Sequence, residues 1–376
     1  MCGLVNTLGV WDSMTEFAHS AKFNHVIAFE RALGTGIILY STEPINPSLQ
    51  HKLRLFIDDY ERVFSRFRED SIISSIAKSK NGGEFRFPCW ALELFNLYDD
   101  FYDATNGAFD ACVGADLLEL GYDSSVQFLP ETSRNKCDMR AKADSAGVSG
   151  VSRVSRVAGV SRVSRVADWH NWDNYKRVLP MKWSNILRDK NSTTLKIDHP
   201  IQLDFGAIGK GYLVDLIMSM ILESLQNKAD VLIDAGGDMR VSLRDENQEL
   251  KVALENPFDT TQAVGVAHVK SGSVCASSIA RKRWNVTYGN ESLLVHHILN
   301  AVDGIPSGKL VASWSYVSEK SCKYPTAYAD ALATALFISS ENDLQKIAQT
   351  TRAEFAVILP NCTVKKTRAF PAPFFG

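Results

Sequence analysis

The apolar residues of this chain change period along its length, and that change bounds the fold. Between positions 47 and 104 they recur at helical spacing: Leu53, Phe56, Ile57, Tyr60 and Phe64 in one run, Leu92, Phe95, Leu97 and Tyr102 in another. Beyond Thr193 most runs are short and rich in β-branched and aromatic residues. Helices early and strands late predict an α+β fold, with antiparallel sheets packed against helices rather than a doubly wound parallel sheet. A hairpin is expected over 26–40, and helices over 47–67, 71–77 and 88–104, the last stopped by Asn106-Gly107. Strands are expected at 193–197, 201–205, 231–235, 240–243, 250–254, 263–270, 274–277, 283–287 and 355–359. Helices are expected at 212–225, 328–339 and 342–349.

With 376 residues the chain can bury one large or two medium cores. A formal net charge of −2 favours neither nucleic acid nor an anionic membrane as partner. No apolar run is long enough to span a bilayer, and the first residues lack the parts of a signal peptide, so a cytoplasmic location is expected. Seven cysteines without a C-x-x-C pair suit reduced thiols, and no His/Cys spacing suits structural zinc. Residues 1–22 read as an N-terminal segment open to disorder, ahead of one domain over 23–376. The domain is interrupted at about 137–170 by a basic, low-complexity insertion in which VSRVSRV occurs twice. A docking arm and a β-pairing repeat are the alternatives for that stretch.

The segment LDFGAIGKGYLVD, 203–215, carries the most chemistry. A strand-like run ends at an acid, three glycines surround Lys210, and a helix begins near Tyr212. Free amide groups at a helix N-terminus, with the helix dipole behind them, form an anion cradle. The spacing matches neither a P-loop nor a dinucleotide fingerprint. A turn without a ligand is the plain alternative. Further along, Asp330 and Thr334 stand four apart on one helix face and offer hard oxygens, suited to Mg²⁺ rather than zinc. The plain alternative there is that Asp330 caps its own helix and Thr334 packs. His296-His297 beside a turn offers an imidazole as base or ligand-binding group. Ala108-Phe109-Asp110 offers an aromatic ring and an acid in a loop. In IDAGGD, 233–238, the glycines permit close backbone approach to a ligand.

Together these segments resemble the ApbE family of Mg²⁺-dependent FAD:protein FMN transferases. The landmarks ALGTG, FSRFREDSIIS, TNGAFD, LDFGAIGKGYLVD, IDAGGDMRV, ASSIARKRW, HHILNAVDG and ADALATAL occur in the family's order. The resemblance implies a FAD site in a cleft between the sheet-rich and helical parts. It places Leu33 and Phe67 at the flavin, and Ala108, Phe109 and Asp110 along the FAD site. Asp204 and Lys210 would contact polar groups of FAD, and His297 would lie beside the pyrophosphate. The Ala207 carbonyl, Asp330 and Thr334 would bind Mg²⁺. His297, Asp330 and Lys210 would carry the catalysis. The departures are Ala301 and Asp303, where the family usually has proline and threonine, and Ala77, where asparagine is common.

The reaction implied is transfer of FMN from FAD to a threonine or serine hydroxyl of an acceptor flavoprotein, with release of AMP. A FAD pyrophosphatase, with water as acceptor, and a non-catalytic FAD-binding protein are the alternatives. The run Asp103–Phe109 lacks the hydroxyl residues of a flavin acceptor motif, so the chain is not expected to modify itself.

Overall fold

The hairpin expected near the N-terminus is formed by β1 (His25–Ala32) and β2 (Thr35–Ser41). The computed structural model describes residues 23–32, 34–122, 155–156, 172, 177, 181–288, 291–340, 342–343 and 352–375. Residues 1–22, Leu33, nearly all of the insertion at 137–170, and most of the helix expected over 342–349 lie outside the described residues.

Helix α1 (Pro47–Phe64) starts where its residues dictate. The Asn46 side chain accepts from the Leu49 amide at 2.8 Å, and Pro47 gives up no hydrogen bond at the first helical position. Its buried stripe is Leu49, Leu53, Ile57, Tyr60, Val63 and Phe64. Helix α2 (Ile72–Lys78) is capped by Ser71, and then comes β3 (Gly83–Arg86). Helix α3 (Leu92–Ala104) ends at Asn106 and Gly107, both with positive φ, and α4 (Gly114–Glu119) follows.

Two residues of the first VSRVSRV repeat form β4 (Ser155–Arg156). Strand β5 (Thr194–Ile197) pairs with β3. Helix α5 (Gly209–Ser224) leads into β6 (Val231–Ala235) and β7 (Asp238–Ser242), then β8 (Leu250–Asn256) and β9 (Asp259–Val269). Next come β10 (Gly272–Ser278), β11 (Arg283–Tyr288), β12 (Glu291–His296), β13 (Leu299–Asn300), β14 (Ile305–Pro306) and β15 (Ala312–Ser318). Helix α6 (Pro325–Ile338), β16 (Glu354–Ile358) and β17 (Thr363–Lys366) complete the order.

Nine strands make one antiparallel sheet in the order β1-β2-β6-β7-β10-β15-β16-β17-β4. Four two-stranded sheets stand beside it among the described residues. The expected α+β class with antiparallel sheets is therefore what forms. Helix α6 packs across β10 and β15 and against α5. It is buried on nearly every side, with Ala327, Ala329, Ala331, Ala333 and Ala335 fully buried, as suits a helix enclosed by protein.

Three differences from the sequence reading have physical causes. Residues 201–205 are not a strand. Ile201, Leu203 and Phe205 are buried in alternation, but the Asp204 amide bonds to the Ala111 carbonyl of a loop at 2.7 Å and no neighbouring strand pairs with them among the described residues. Helices α5 and α6 each begin three residues before the apolar spacing suggests, at Gly209 and Pro325. Strand β15, at the centre of the sheet, gave no apolar signal because Ser313 and Ser315 point inward. Their hydroxyls donate to the Ala333 and Ala329 carbonyls of α6, at 2.6 and 2.5 Å.

Candidate active site

Helices α5 and α6 cap each other. Asp215 of α5 accepts from the amides of Thr326 and Ala327, each at 2.9 Å, and from the Thr326 hydroxyl at 2.6 Å. Asp330 of α6 accepts from the Gly211 amide at 3.0 Å. Two helix N-termini thus meet, and each is answered by a carboxylate from the second turn of the other. Asp330 does cap a helix, but the helix is α5 and not its own. The cradle expected at 203–215 is in part occupied by the protein itself. Gly206 donates to Asp204, Gly209 to the Phe205 carbonyl and Gly211 to Asp330.

The Lys210 ammonium stands between two acids, 3.0 Å from Asp238 and 3.1 Å from Asp330. Burial opposes its charge, but the two carboxylates outweigh burial and hold its pKa above the usual lysine value. Burial, reinforced by Asp238, pushes Asp330 up to about 7, with Lys210 opposing. Asp238 reaches this point because Gly236 and Gly237 turn β6 into β7 with positive φ. Those glycines make a hairpin turn as well as lining the cavity described next. The Asp238 Oδ1 atom is buried with no hydrogen-bond partner among the described residues.

A cavity of about 660 Å³ opens over this cluster, between the helices and the strands β6–β10. Phe67, Ala108, Phe109, Asp110, Asp204, Ala207, Lys210, His297, Asp330 and Thr334 all line it. Of the site residues expected from sequence, Leu33 alone falls outside the described residues. Arg66, which sequence reasoning missed, binds the Asp204 carboxylate at 2.6 Å and lies 4.2 Å over the Phe67 ring and 4.9 Å over Tyr122. Phe67 and Tyr122 form an aromatic part of the cavity wall, and Trp284 stacks on Tyr122 at 5.1 Å. Asp110 serves the fold: its oxygens accept from the amides of Cys112 and Trp183. The Thr334 hydroxyl meets Ser277 at 3.4 Å.

The two histidines differ in role. His296 is buried, with Nε2 on the Ser307 carbonyl at 3.0 Å and Nδ1 accepting from the Ile298 amide at 3.2 Å, so the ring is neutral and structural. Burial lowers it to about 4. The folded state then binds fewer protons than the unfolded one between pH 6.5 and 4, and stability falls as pH drops through that window, by about 3 kcal/mol. Urea unfolding followed from pH 7 to 4.5 checks this, with His296→Gln expected to flatten the slope. His297 faces the cavity, and its Nδ1 meets the Lys282 carbonyl at 3.4 Å, which leaves Nε2 with a lone pair. Burial, then Lys282 and His296, keep it well below the usual histidine value.

The sequence model of the ApbE family matches residues 33–359. The chain belongs to the ApbE family. A FAD:protein FMN transferase of Treponema pallidum (strain Nichols) is 25% identical over 330 residues, covering 82% of this chain and 77% of the relative. A FAD:protein FMN transferase of Rhodobacter capsulatus is 28% identical over 157 residues, 42% of this chain and 28% of the relative. Among solved structures, the ApbE protein of Thermotoga maritima superposes with a TM-score of 0.66 at 20% identity, over 92% of this chain and 97% of that one. The flavin transferase ApbE of Vibrio cholerae gives 0.63 at 16% identity, over 93% and 99%. The structural likenesses establish an ApbE fold. The Ala301 amide donates to the Ala108 carbonyl at 3.0 Å, a bond that a proline at this position could not make.

Among the described residues no three His, Cys, Asp or Glu side chains converge as a metal cluster. A divalent ion here would rest on the Ala207 carbonyl, the Thr334 hydroxyl and the Asp330 carboxylate, all of which line the cavity. The donor chemistry fits a hard cation, and the unpartnered Asp238 oxygen adds negative potential beside it. Among the described residues no helix is long and apolar enough to cross a membrane.

Proposed function

We propose that this ApbE-family chain transfers FMN from FAD to a threonine or serine hydroxyl of an acceptor flavoprotein, with Mg²⁺ and with release of AMP. The observation that carries the reading is the cavity itself. Phe67 and Tyr122 stand at one part of it, with Trp284 stacked behind Tyr122. Lys210, Asp330, Asp204 and His297 stand at another. A flavin ring and a diphosphate need those two surfaces side by side.

In the transfer, the acceptor hydroxyl oxygen bonds to the FMN-side phosphorus. The bond from that phosphorus to the bridging oxygen breaks, and AMP leaves with that oxygen. The neutral His297 takes the hydroxyl proton at Nε2. Lys210, fixed by Asp238 and Asp330, keeps its charge beside the phosphates as negative charge shifts to the leaving oxygen. Mg²⁺, when bound at Ala207, Asp330 and Thr334, supplies further neutralisation of phosphate charge. Arg66 holds Asp204 in one orientation, so that its remaining acceptor capacity is presented to FAD.

The test is incubation with FAD, Mg²⁺ and candidate flavoprotein subunits, read by intact mass and by AMP release. The acceptor is expected to gain one FMN for each AMP formed. Rapid AMP and free FMN without an acceptor would make the chain a pyrophosphatase. Tight FAD retention without AMP, even with an acceptor, would make it a carrier. His297→Ala is expected to slow transfer by about 10²–10⁴-fold, the usual contribution of a general base. Unchanged turnover in that variant would remove His297 from the proton transfer.

A further inference from the structure

Lys282 sits in the turn between β10 and β11 and lines the same cavity as Lys210, Asp204, Asp330 and His297. None of the roles above uses its side chain. The other cations at this wall are already matched. Lys210 is held by Asp238 and Asp330, Arg66 by Asp204, and Arg281 by Glu255. The Lys282 ammonium has no hydrogen-bond or ion-pair partner among the described residues. Burial and then repulsion from Lys210 lower its pKa to about 8, while Asp204, Asp238 and Asp330 oppose that without offsetting it. Drawing a lysine out of water without a partner costs free energy, and an arriving anion removes that cost.

A second observation ties this residue to the reacting end of the ligand. The Lys282 carbonyl meets Nδ1 of His297 at 3.4 Å. One residue therefore orients the imidazole through its main chain and brings a cation to the same wall through its side chain. We infer that Lys282 binds the diphosphate of FAD beside His297, as an anion-contacting residue additional to Lys210. The inference rests on the flavin-transferase reading of the cavity. The consequence is geometric: the proton acceptor and one phosphate ligand would be set by the same turn, so they keep register with each other when the acceptor hydroxyl arrives.

The experiment compares Lys282→Met and Lys282→Arg with the wild type in flavin-fluorescence titrations, using FAD and riboflavin. Riboflavin shares the ring and lacks the phosphates. In Lys282→Met, FAD affinity is expected to fall about tenfold or more, as for loss of a charged hydrogen bond, with riboflavin affinity nearly unchanged. Lys282→Arg keeps the charge and should retain most of the FAD affinity. Urea midpoints identify any variant that fails to fold, in which case Lys282→Gln takes the place of Lys282→Met. Equal FAD affinity in wild type and Lys282→Met would overturn the inference and leave the flavin site standing. An equal loss of FAD and riboflavin affinity would also overturn it, assigning Lys282 to packing. A wild-type protein that binds neither flavin would overturn the functional reading beneath it.

Discussion

Asp330→Ala is expected to abolish FMN transfer, by about 10³-fold or more, while the chain still folds. Three functions end together in this variant. Lys210 loses one of its two carboxylates, the Gly211 amide loses its acceptor, and the proposed Mg²⁺ set loses its one carboxylate. An amide left unpaired in the core costs about 1–3 kcal/mol, which a domain of this size survives. Asp330→Asn separates the parts. Its side-chain oxygen can still accept from Gly211 and Lys210, so the unfolding midpoint should recover, but its charge is gone and transfer should not recover. Single-turnover AMP release and urea unfolding on both variants check this. Unchanged turnover in Asp330→Ala would sink the assignment of Asp330 to the site.

Gly211→Ala is expected to be strongly destabilising. A Cβ at this position would stand 2.3 Å from the Thr326 carbonyl oxygen, 2.7 Å from its carbon and 2.9 Å from the Asp330 Cβ. The obstacle is mostly backbone and cannot step aside, so α5 and α6 must separate. The cost should reach about 3 kcal/mol, the upper part of the range for overpacked cores. Separation would also pull Asp330 from the α5 N-terminus and Asp215 from the α6 N-terminus, so transfer should fall as well. Gly209→Ala is the control two residues away. There the nearest atom is the Tyr60 hydroxyl at 3.5 Å, and a helical alanine gains roughly 0.5–1 kcal/mol over glycine. Thermal unfolding of both variants tests the contrast. Equal behaviour would show that α5 and α6 do not need the close approach.

The glycines of GKG show how far a motif can be read. Their spacing marks a special turn, and the sequence suggests that the speciality is a ligand. The structure gives Gly211 to helix–helix approach and leaves Gly209 with no steric demand. The IDAGGD glycines likewise make a hairpin turn whose product is the placement of Asp238 beside Lys210. In each case the residue type is legible because only glycine satisfies the constraint. What imposes the constraint lies more than 100 residues away in the first case and is therefore invisible locally.

By itself the sequence determined the fold class, most of the elements and a set of candidate site residues. Apolar periodicity reports burial on one face, and burial is a local property of a strand or helix. The ordered landmarks brought Phe67, Asp204, Lys210, His297, Asp330 and Thr334 into consideration together, and all of them line one cavity. Only the tertiary structure decided who partners whom. It made Asp330 the cap of α5 and Asp215 the cap of α6. It paired Arg66 with Asp204, gave His296 to the fold and His297 to the cavity, and left Lys282 without a counter-ion among the described residues. Hydrogen bonds and ion pairs act over a few ångströms in space, between residues whose separation along the chain carries no trace of that distance.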